Sequence, residues 1–207
     1  NPHYLTRNNN SSIYVVKDYL KNSYICSSDN YFIENPFEND VTESYYASVY
    51  VSGNTDEWCI YEEDGWIKKV VVGGVDSWIM LGHVFWTEKF SERFISILEQ
   101  EYDKEETKDK PWESIYIEHI MKIRKYKSDF IFEFDTLDEL RLFDSTYIYN
   151  TRSEIIKHIA DKLGVGEDKI TNIKAFKDGS NAAAGFTFNA DKKYRYYYNT
   201  YKMEEIR

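Results

Sequence analysis

Short apolar runs typical of β-strands alternate with segments of helical periodicity along the first two thirds of the chain. Ile13, Val16 and Leu20 share one face of a predicted helix over residues 11–20, with Asn10 or Ser11 as its N-cap. Runs rich in Val, Ile, Tyr, Phe and Trp predict strands at 23–27, 46–51, 57–62, 66–72, 79–86 and 130–134. This alternation predicts an α/β fold with a mixed sheet.

The breaks between these segments carry recognisable turn and cap residues. Asp64-Gly65 predicts a hairpin turn between two strands. Thr87 is placed to cap a helix that runs to about Tyr102, with apolar residues on its buried side. Two more helices are predicted, one at 136–143 and one starting at Pro111 with Trp112, Ile115, Tyr116 and His119 on a common face.

The pattern changes near residues 145–150, which predicts two domains, 1–145 and 146–207. In the second, Arg152–Leu163 has the periodicity of an amphipathic helix and Gly164 stands where helices commonly end. The strand-like runs after it lie at 170–176, 184–189 and 193–198. The second domain is therefore predicted to be a small helix-plus-strands segment.

Composition excludes several classes of function. A net charge of −10 with 42% apolar residues argues for a globular core and against a nucleic-acid surface, which would show a basic stripe. No apolar run reaches the length of a membrane span, and the chain does not open with a basic-then-apolar signal. Cys26 and Cys59 both lie in apolar runs, which favours two buried free thiols over a disulfide. We therefore expect a cytoplasmic protein without membrane insertion.

Candidate chemistry begins with two aspartates, Asp29 and Asp135, each following an apolar strand-like run. Ligands of open α/β sheets collect at the carboxyl ends of strands, and paired carboxylates there suit Mg²⁺, which prefers oxygen ligands. The alternative is that each is a turn former or helix cap, Asp135 before T-L-D-E-L in particular. The four histidines, in contrast, show no metal-ligand spacing: His3, His83, His119 and His158.

Residues 1 to about 144 resemble the later part of bacterial sugar-phosphate-type nucleotidyltransferases, most closely the CTP:phosphocholine cytidylyltransferases. The matching pieces are N-P-H-Y-L-T-R-N-N-N-S-S-I-Y, D-Y-L-K-N-S-Y-I-C-S-S-D-N-Y-F, S-V-Y-V-S-G-N-T-D-E-W, G-H-V-F-W, K-P-W-E-S and F-E-F-D-T-L-D-E-L. The resemblance implies a Rossmann-like mixed sheet in which Asp29 and Asp135 bind the catalytic Mg²⁺. Their carboxylates are then expected on one face of the sheet, roughly 4–6 Å apart.

The same resemblance implies a site for a choline head. Trp58, Trp86 and Trp112 fall on elements that surround the trimethylammonium group in that family. Such a group cannot donate a hydrogen bond and is held by aromatic faces and a nearby carboxylate, for which Glu133 is the candidate. Each tryptophan has the alternative role of a core residue. We expect at least two of the three to border one pocket near Asp135.

Asn8, Asn9 and Ser12 match the family's N-N-x-x-S element before its helix. Two interpretations stay open. These residues either contact the substrate or brace the metal-site loop, or they serve as ordinary helix caps.

The Gly-rich phosphate loop with which the family opens, L-A-A-G-x-G-x-R, has no counterpart in the printed sequence. Gly73-Gly74 and Gly164 with Gly166 lack the required form, because a phosphate cradle needs several free backbone N–H groups. We expect the sequence to be a fragment or a remnant that lacks this nucleotide loop. Residues 1–207 alone are then expected to form no CDP-choline, since positioning of the α-phosphate supplies much of the rate.

Residues 146–207 resemble the opening of a choline kinase, on I170-T-N-I-K-A-F-K-D-G-S-N-A-A-A-G-F-T-F188 and K192-K-Y-R-Y. The loop and the Y-Y-Y-N stretch depart from that family, and no catalytic H-x-D motif follows, so this segment cannot carry kinase chemistry. The resemblances together imply CMP transfer from CTP to phosphocholine, with small-molecule substrates and no nucleic acid. The alternatives are a sugar-1-phosphate or other small-phosphate nucleotidyltransferase, and a non-catalytic choline-head-binding module.

Overall fold

The computed structural model describes residues 1–116, 121–177 and 182–206, with the side chain of residue 116 left out. The chain divides into two compact units, Asn1–Glu133 (unit 1) and Phe134–Arg207 (unit 2). His119, predicted on the helix after Pro111, lies outside the described residues. No helix in the described part of the chain has the length and apolar character needed to cross a membrane.

Unit 1 is built on a mixed four-stranded sheet. Strands β3 (Tyr45–Glu63) and β4 (Trp66–Trp86) form a long antiparallel hairpin, β1 (Ser23–Ile25) pairs antiparallel with β4, and β5 (Lys122–Tyr126) pairs parallel with β3. The predicted mixed α/β architecture is confirmed.

The hairpin corrects the prediction of four separate strands, because each pair of short strands is one continuous strand. Its turn is where the sequence places it, with Asp64 and Gly65 both at positive φ, 53° and 78°, as a type I′ turn requires. Gly53 and Gly73, which in the sequence suggest the ends of strands, both have a φ of 81°. The ladder shifts its register between Val51 and Asn54, so the strand bends and continues.

Three helices share a core with this sheet: α1 (Asn10–Val16), α2 (Glu88–Glu101) and α3 (Glu113–Tyr116). The predicted cap of α2 is confirmed, since the Thr87 side chain accepts a hydrogen bond from the Phe90 N–H. The core brings together Ile13, Ile60, Ile67, Val84, Trp86, Phe90, Phe94, Leu98, Tyr102, Trp112 and Met121.

The start of α1 differs from the prediction. Asn10 and Ser11 are buried within the helix, and the N-cap position falls on Asn9, whose side chain makes no capping hydrogen bond. The helix is also shorter than predicted, because its last turn, Lys17–Tyr19, is a 3₁₀-helix. The asparagines before and in α1 are therefore available for other contacts.

A second, two-stranded sheet completes unit 1. Strands β2 (Asn30–Phe32) and β6 (Ile131–Glu133) pair antiparallel. Ile131 shares a second core with Ala47, Val49, Cys59 and Ile79 of the hairpin. Both cysteines are free, as predicted, and Cys59 is buried, but the prediction that Cys26 is buried is wrong. Strand β1 ends at Ile25, which leaves Cys26 in an exposed connection.

Unit 2 has its own core around Ile159, Ile170, Phe188 and Tyr196. Its elements are α4 (Leu137–Phe143), α5 (Thr146–Tyr149), α6 (Glu154–Leu163), β7 (Thr171–Lys177), β8 (Ala183–Asn189), β9 (Lys193–Tyr197) and β10 (Met203–Ile206). The strands form one antiparallel sheet in the order β10-β9-β8-β7. The domain boundary at 145 and the likeness to choline kinase stay predictions.

Candidate functional site

A cleft in unit 1 has two adjoining parts that share Asn9, Tyr46 and Glu113 in their linings. The larger part, about 390 Å³, contains Asp29 and is here called the Asp29 end. The smaller part, about 240 Å³, contains Trp58 and is called the Trp58 end. The predicted site residues that line one part or the other are Asn9, Ser12, Asp29, Trp58, Trp112 and Glu133.

At the Asp29 end, the aspartate lies in the turn between β1 and β2, after Ser27 and Ser28. Its side chain is exposed, and its carboxylate makes no hydrogen bond or ion pair with any described residue. The β2–β6 ladder ends at the pair Asn30–Glu133. Asp29 thus presents an unpaired carboxylate to the cleft from one end of this ladder.

Asp135 is the second residue of unit 2 and is likewise exposed. It does not cap α4, as the alternative interpretation held. Thr136 is the N-cap, and its side chain and that of Glu139 form a reciprocal capping box. Within the described residues, no group of three or more His, Cys, Asp or Glu side chains gathers as a metal site. A metal site shared by Asp29 and Asp135 stays a prediction.

The Trp58 end combines aromatic rings with acidic side chains. Tyr46 and half-buried Trp58 are its aromatic lining residues, and Met80 and Pro111 add apolar surface. Three acidic residues, Glu57, Glu113 and Glu133, line the same space. A small, partly open pocket with aromatic faces and several carboxylates is suited to an organic cation.

The three tryptophans that were predicted to surround the choline head have different surroundings. Trp86 is 0% exposed, and its ring lies 4.7 Å from that of Phe94 and 5.0 Å from that of Trp112. It lines neither part of the cleft, so Trp86 is a core residue, as the alternative interpretation held. Trp112 is 4% exposed, lines the Asp29 end, and stacks on Tyr46 at 6.2 Å. Only Trp58 is both partly exposed and at the end rich in carboxylates.

Two residues that the sequence analysis does not predict, Tyr46 and Glu113, lie where the two ends of the cleft meet. Burial raises the pKa of the Glu113 carboxyl, against hydrogen bonds from the Asn9 amide, 3.2 Å away, and the Tyr46 hydroxyl. Burial also holds the pKa of Tyr46 well above its ordinary value, helped by Glu113 and Glu133. The sequence signal for Glu113 is K-P-W-E-S, the motif from which only Trp112 is predicted as a site residue.

Comparison with known proteins finds similarity to bacterial cytidylyltransferases. No family model matches the chain. It is 32% identical over 146 residues to choline-phosphate cytidylyltransferase of Streptococcus pneumoniae, covering 68% of this chain and 64% of that protein. It is 29% identical over 161 residues to 2-aminoethylphosphonate cytidylyltransferase of Lancefieldella rimae, covering 74% of this chain and 65% of the relative.

The solved structure of the Streptococcus pneumoniae CTP:phosphocholine cytidylyltransferase superposes with a TM-score of 0.65 at 29% identity, covering 70% of this chain and 66% of that one. In sequence and in fold the chain is similar to the bacterial choline-phosphate cytidylyltransferases. It spans about two thirds of the length of its curated cytidylyltransferase relatives.

In this chain, the asparagines before and in α1 hold the loop over residues 107–113. The amide of Asn8 donates to the Asp109 carbonyl at 3.0 Å, and Asn9 Oδ1 accepts from the Trp112 N–H at 2.7 Å. Asn9 also lines both ends of the cleft, whereas Asn8 lines neither. Of the predicted pair, Asn9 therefore fits both open interpretations, contact and brace, and Asn8 fits the bracing one.

Proposed function

We propose that this chain takes part in transferring CMP from CTP to phosphocholine, which gives CDP-choline and pyrophosphate. The observation that carries the proposal is the two-ended cleft, in which an aromatic and acidic pocket adjoins an unpaired aspartate. The cationic head of a zwitterionic acceptor suits the aromatic and acidic pocket, and its anionic phosphate suits the Asp29 end when a cation bridges the two negative charges. The similarity to choline-phosphate cytidylyltransferase of Streptococcus pneumoniae, in sequence and in fold, supports this assignment.

The cationic head is assigned to the Trp58 end. A trimethylammonium group has no N–H to donate, so it gains most from the rings of Trp58 and Tyr46, about 0.5–2 kcal/mol for each cation–π contact. Glu113 and Glu133 supply negative charge beside those rings. The phosphate of the acceptor then extends towards Asp29.

The metal of the proposal is Mg²⁺, held by Asp29 and Asp135. The donor set fits, because both carboxylates are exposed and unpaired among the described residues, and Mg²⁺ commonly binds through one or two carboxylates plus substrate phosphates. When bound, Mg²⁺ would neutralise negative charge on the phosphates. Asp29 and Asp135 are its ligands in this proposal, and the remaining cleft residues bind the acceptor.

The reaction needs no protein nucleophile. A phosphate oxygen of phosphocholine attacks the α-phosphorus of CTP, a new P–O bond forms, and the bond to the β-phosphate oxygen breaks to release pyrophosphate. The contribution of Trp58, Tyr46 and Glu113 is to fix the acceptor in place. Such positioning alone supplies a large part of the rate in transfers of this kind.

A second candidate acceptor is 2-aminoethylphosphonate, which the Lancefieldella rimae relative is named for. Its primary ammonium donates three hydrogen bonds, and Glu57, Glu113 and Glu133 offer acceptors at the Trp58 end. The aromatic rings favour the quaternary head, and the carboxylates serve both heads. The relative affinity for the two acceptors therefore decides between them.

Calorimetry on the chain tests the proposal without requiring turnover. Phosphocholine, 2-aminoethylphosphonate and glucose-1-phosphate are titrated separately, with and without CTP and Mg²⁺. We expect phosphocholine to bind most tightly and its affinity to rise when CTP and Mg²⁺ are present. Preference for 2-aminoethylphosphonate would support the second candidate, and tighter binding of glucose-1-phosphate a sugar-1-phosphate enzyme. Phosphocholine binding that ignores CTP and Mg²⁺ would support a non-catalytic choline-binding module.

A further inference from the structure

Gly82 lies at an irregularity of β4 beside the cleft. Tyr46 pairs with Val84 and Ser48 pairs with Met80, so Ala47 alone stands opposite the three residues 81–83. Gly82 has a φ of +110° at this bulge, a conformation open to glycine and costly for other residues. Bulges of this kind are frequent next to active sites, where they redirect the chain.

The space that a side chain on Gly82 would occupy is already filled. A Cβ atom there would lie 2.8 Å from Ile131 Cδ1, 3.3 Å from Ile131 Cγ2 and 3.4 Å from Ala47 Cβ. Ile131 and Ala47 are 1% and 0% exposed, so neither has free room to move. Strand β6 therefore packs against β4 through Ile131, at a glycine position of β4 that leaves room for the Ile131 side chain.

This contact reaches the cleft through the two-stranded sheet. Ile131 pairs with Phe32, and two residues further along the ladder Glu133 pairs with Asn30. Glu133 lines the Trp58 end, and Asp29, next to Asn30, lines the Asp29 end together with Gly82 itself. The depth at which Ile131 packs on Gly82 thus determines where both carboxylates stand.

We propose that Gly82 is a positioning residue of the acceptor site, which deepens the proposed function and rests on it. The missing side chain lets Ile131 hold the β2–β6 ladder against β4, and the ladder holds Asp29 and Glu133 at the two ends of the cleft. Gly82 touches no reacting atom in this scheme. It acts through Ile131.

The first test compares Gly82→Ala with Gly53→Ala. Gly53 also has positive φ, 81°, lies in the same hairpin, and has nothing within 4 Å of an added Cβ. Gly53→Ala therefore carries the backbone strain without the clash. We expect Gly82→Ala to weaken phosphocholine binding about tenfold, the scale of an overpacked core contact, and Gly53→Ala to leave the affinity unchanged.

Relief of the clash is the second test. Ile131→Val removes the Cδ1 atom at 2.8 Å and leaves Cγ2 at 3.3 Å. The double variant Gly82→Ala/Ile131→Val should recover a large part of the lost affinity, although Ile131→Val alone brings no gain. If Gly82→Ala does not fold, the double variant is compared with Ile131→Val alone, where a residual loss of affinity supports the proposal and equal affinity overturns it.

Hydrogen exchange gives a readout that does not depend on the ligand. Backbone amides of β2 and β6 should exchange faster in Gly82→Ala than in Gly53→Ala, because the ladder is lifted from the sheet. Equal exchange and equal affinity in the two variants would overturn the proposal. Failure of the unmodified chain to bind phosphocholine would reject the proposed function, whereas the exchange experiment would still decide the role of Gly82.

Discussion

At the scale of single residues, Trp58 differs from the other two predicted tryptophans because it is partly exposed and lines a pocket rich in carboxylates. Its side chain is half-buried and shares the Trp58 end with Glu57, Glu113 and Glu133. A ring in this position offers a face to a cation, whereas the enclosed ring of Trp86 has its faces covered by other aromatics. Ligand binding should therefore depend on Trp58, and folding should depend on Trp86.

We predict that Trp58→Ala weakens phosphocholine binding by about 1–2 kcal/mol, the value of a desolvated cation–π contact. The matched control is Trp78→Ala, which removes a half-buried tryptophan of the same hairpin that packs on Tyr50 at 5.4 Å, outside the cleft. Calorimetry on both variants checks the prediction. Equal affinity of the two variants would remove Trp58 from the site.

His83 is the second residue with an unusual environment. It is fully buried, and its Nε2 lies 2.9 Å from the Tyr45 hydroxyl and 3.3 Å from that of Tyr126. Its Nδ1 has no hydrogen-bond partner among the described residues. Burial, together with the nearby Arg124 guanidinium, lowers the pKa of His83 to about 4, although Glu38 opposes the shift. The neutral imidazole is therefore the folded form.

This pKa predicts that stability falls as the pH is lowered. Between about pH 6.5 and pH 4 the unfolded chain binds a proton at His83 and the folded chain does not, so the full loss is about 3 kcal/mol, of which about 2 kcal/mol falls between pH 7 and pH 5. Urea unfolding of the unmodified chain and of His83→Gln at both pH values isolates this part. The exposed His3→Gln is the control, and an equal pH dependence in all three proteins would contradict the prediction.

At the scale of elements, the loop over residues 107–113 is placed by α1 and not by a regular strand or long helix of its own. Buried Asn10 donates from its amide to the Thr107 carbonyl at 2.8 Å and to the Lys110 carbonyl at 2.5 Å. The loop carries Trp112 and Glu113, two lining residues of the cleft. The position of the cleft wall thus depends on side-chain hydrogen bonds from a different element.

We predict that Asn10→Ala lowers the free energy of unfolding by about 1–3 kcal/mol, because a buried hydrogen bond to the Thr107 carbonyl and a part-buried one to the Lys110 carbonyl are lost. It should also weaken phosphocholine binding through the displaced loop. The comparison is Asn8→Ala, which removes an exposed amide that donates to the Asp109 carbonyl and accepts from the Asn9 N–H, and for which we expect a loss under about 1 kcal/mol because water can replace both bonds. Urea unfolding with calorimetry measures both quantities, and similar losses in the two variants would count against the bracing role of Asn10.

The sequence predicts local features of these elements better than their continuity. The Asp64-Gly65 turn, the Thr87 cap and the helix ended by Gly164 follow from short-range stereochemistry and are confirmed. Gly53 and Gly73 suggest strand ends, yet each glycine only bends a strand whose partner continues beside it. Whether a chain continues past a glycine depends on long-range pairing, which a local pattern does not contain.

The cleft is recoverable from the sequence only in part, for the same reason. Asp29, Trp58 and Glu133 are found by motif, and the structure places all three in the cleft lining. Tyr46 follows Tyr45 in a strand, and only the structure decides that Tyr46 lines the cleft while Tyr45 packs against His83. Trp86 is the converse case, since its motif resembles a binding element while its side chain belongs to the core.

At the scale of the whole molecule, charge is the dominant constraint. The chain carries a net charge of −10, and the proposed substrates are themselves anionic at their phosphates. Among the described residues, four acidic ones line the cleft, Asp29, Glu57, Glu113 and Glu133, and no Lys or Arg does. An acidic protein binds phosphates at such a surface when a cation bridges the like charges, and the proposed function assigns this role to Mg²⁺.

We therefore predict that Asp29→Asn and Asp135→Asn each weaken Mg²⁺ binding in the presence of CTP about tenfold or more, since each removes one of two charged ligands. If both aspartates bind one ion, the double variant should be little worse than either single variant, because residues of one site are not additive. Asp64→Asn is the matched control, an exposed aspartate in the hairpin turn at positive φ, where asparagine is well tolerated. Titration of Mg²⁺ by calorimetry measures all four proteins. Strictly additive losses would indicate two separate sites. Unchanged Mg²⁺ affinity in both single variants would exclude the aspartates as ligands, and Asp29 would then be a turn residue only.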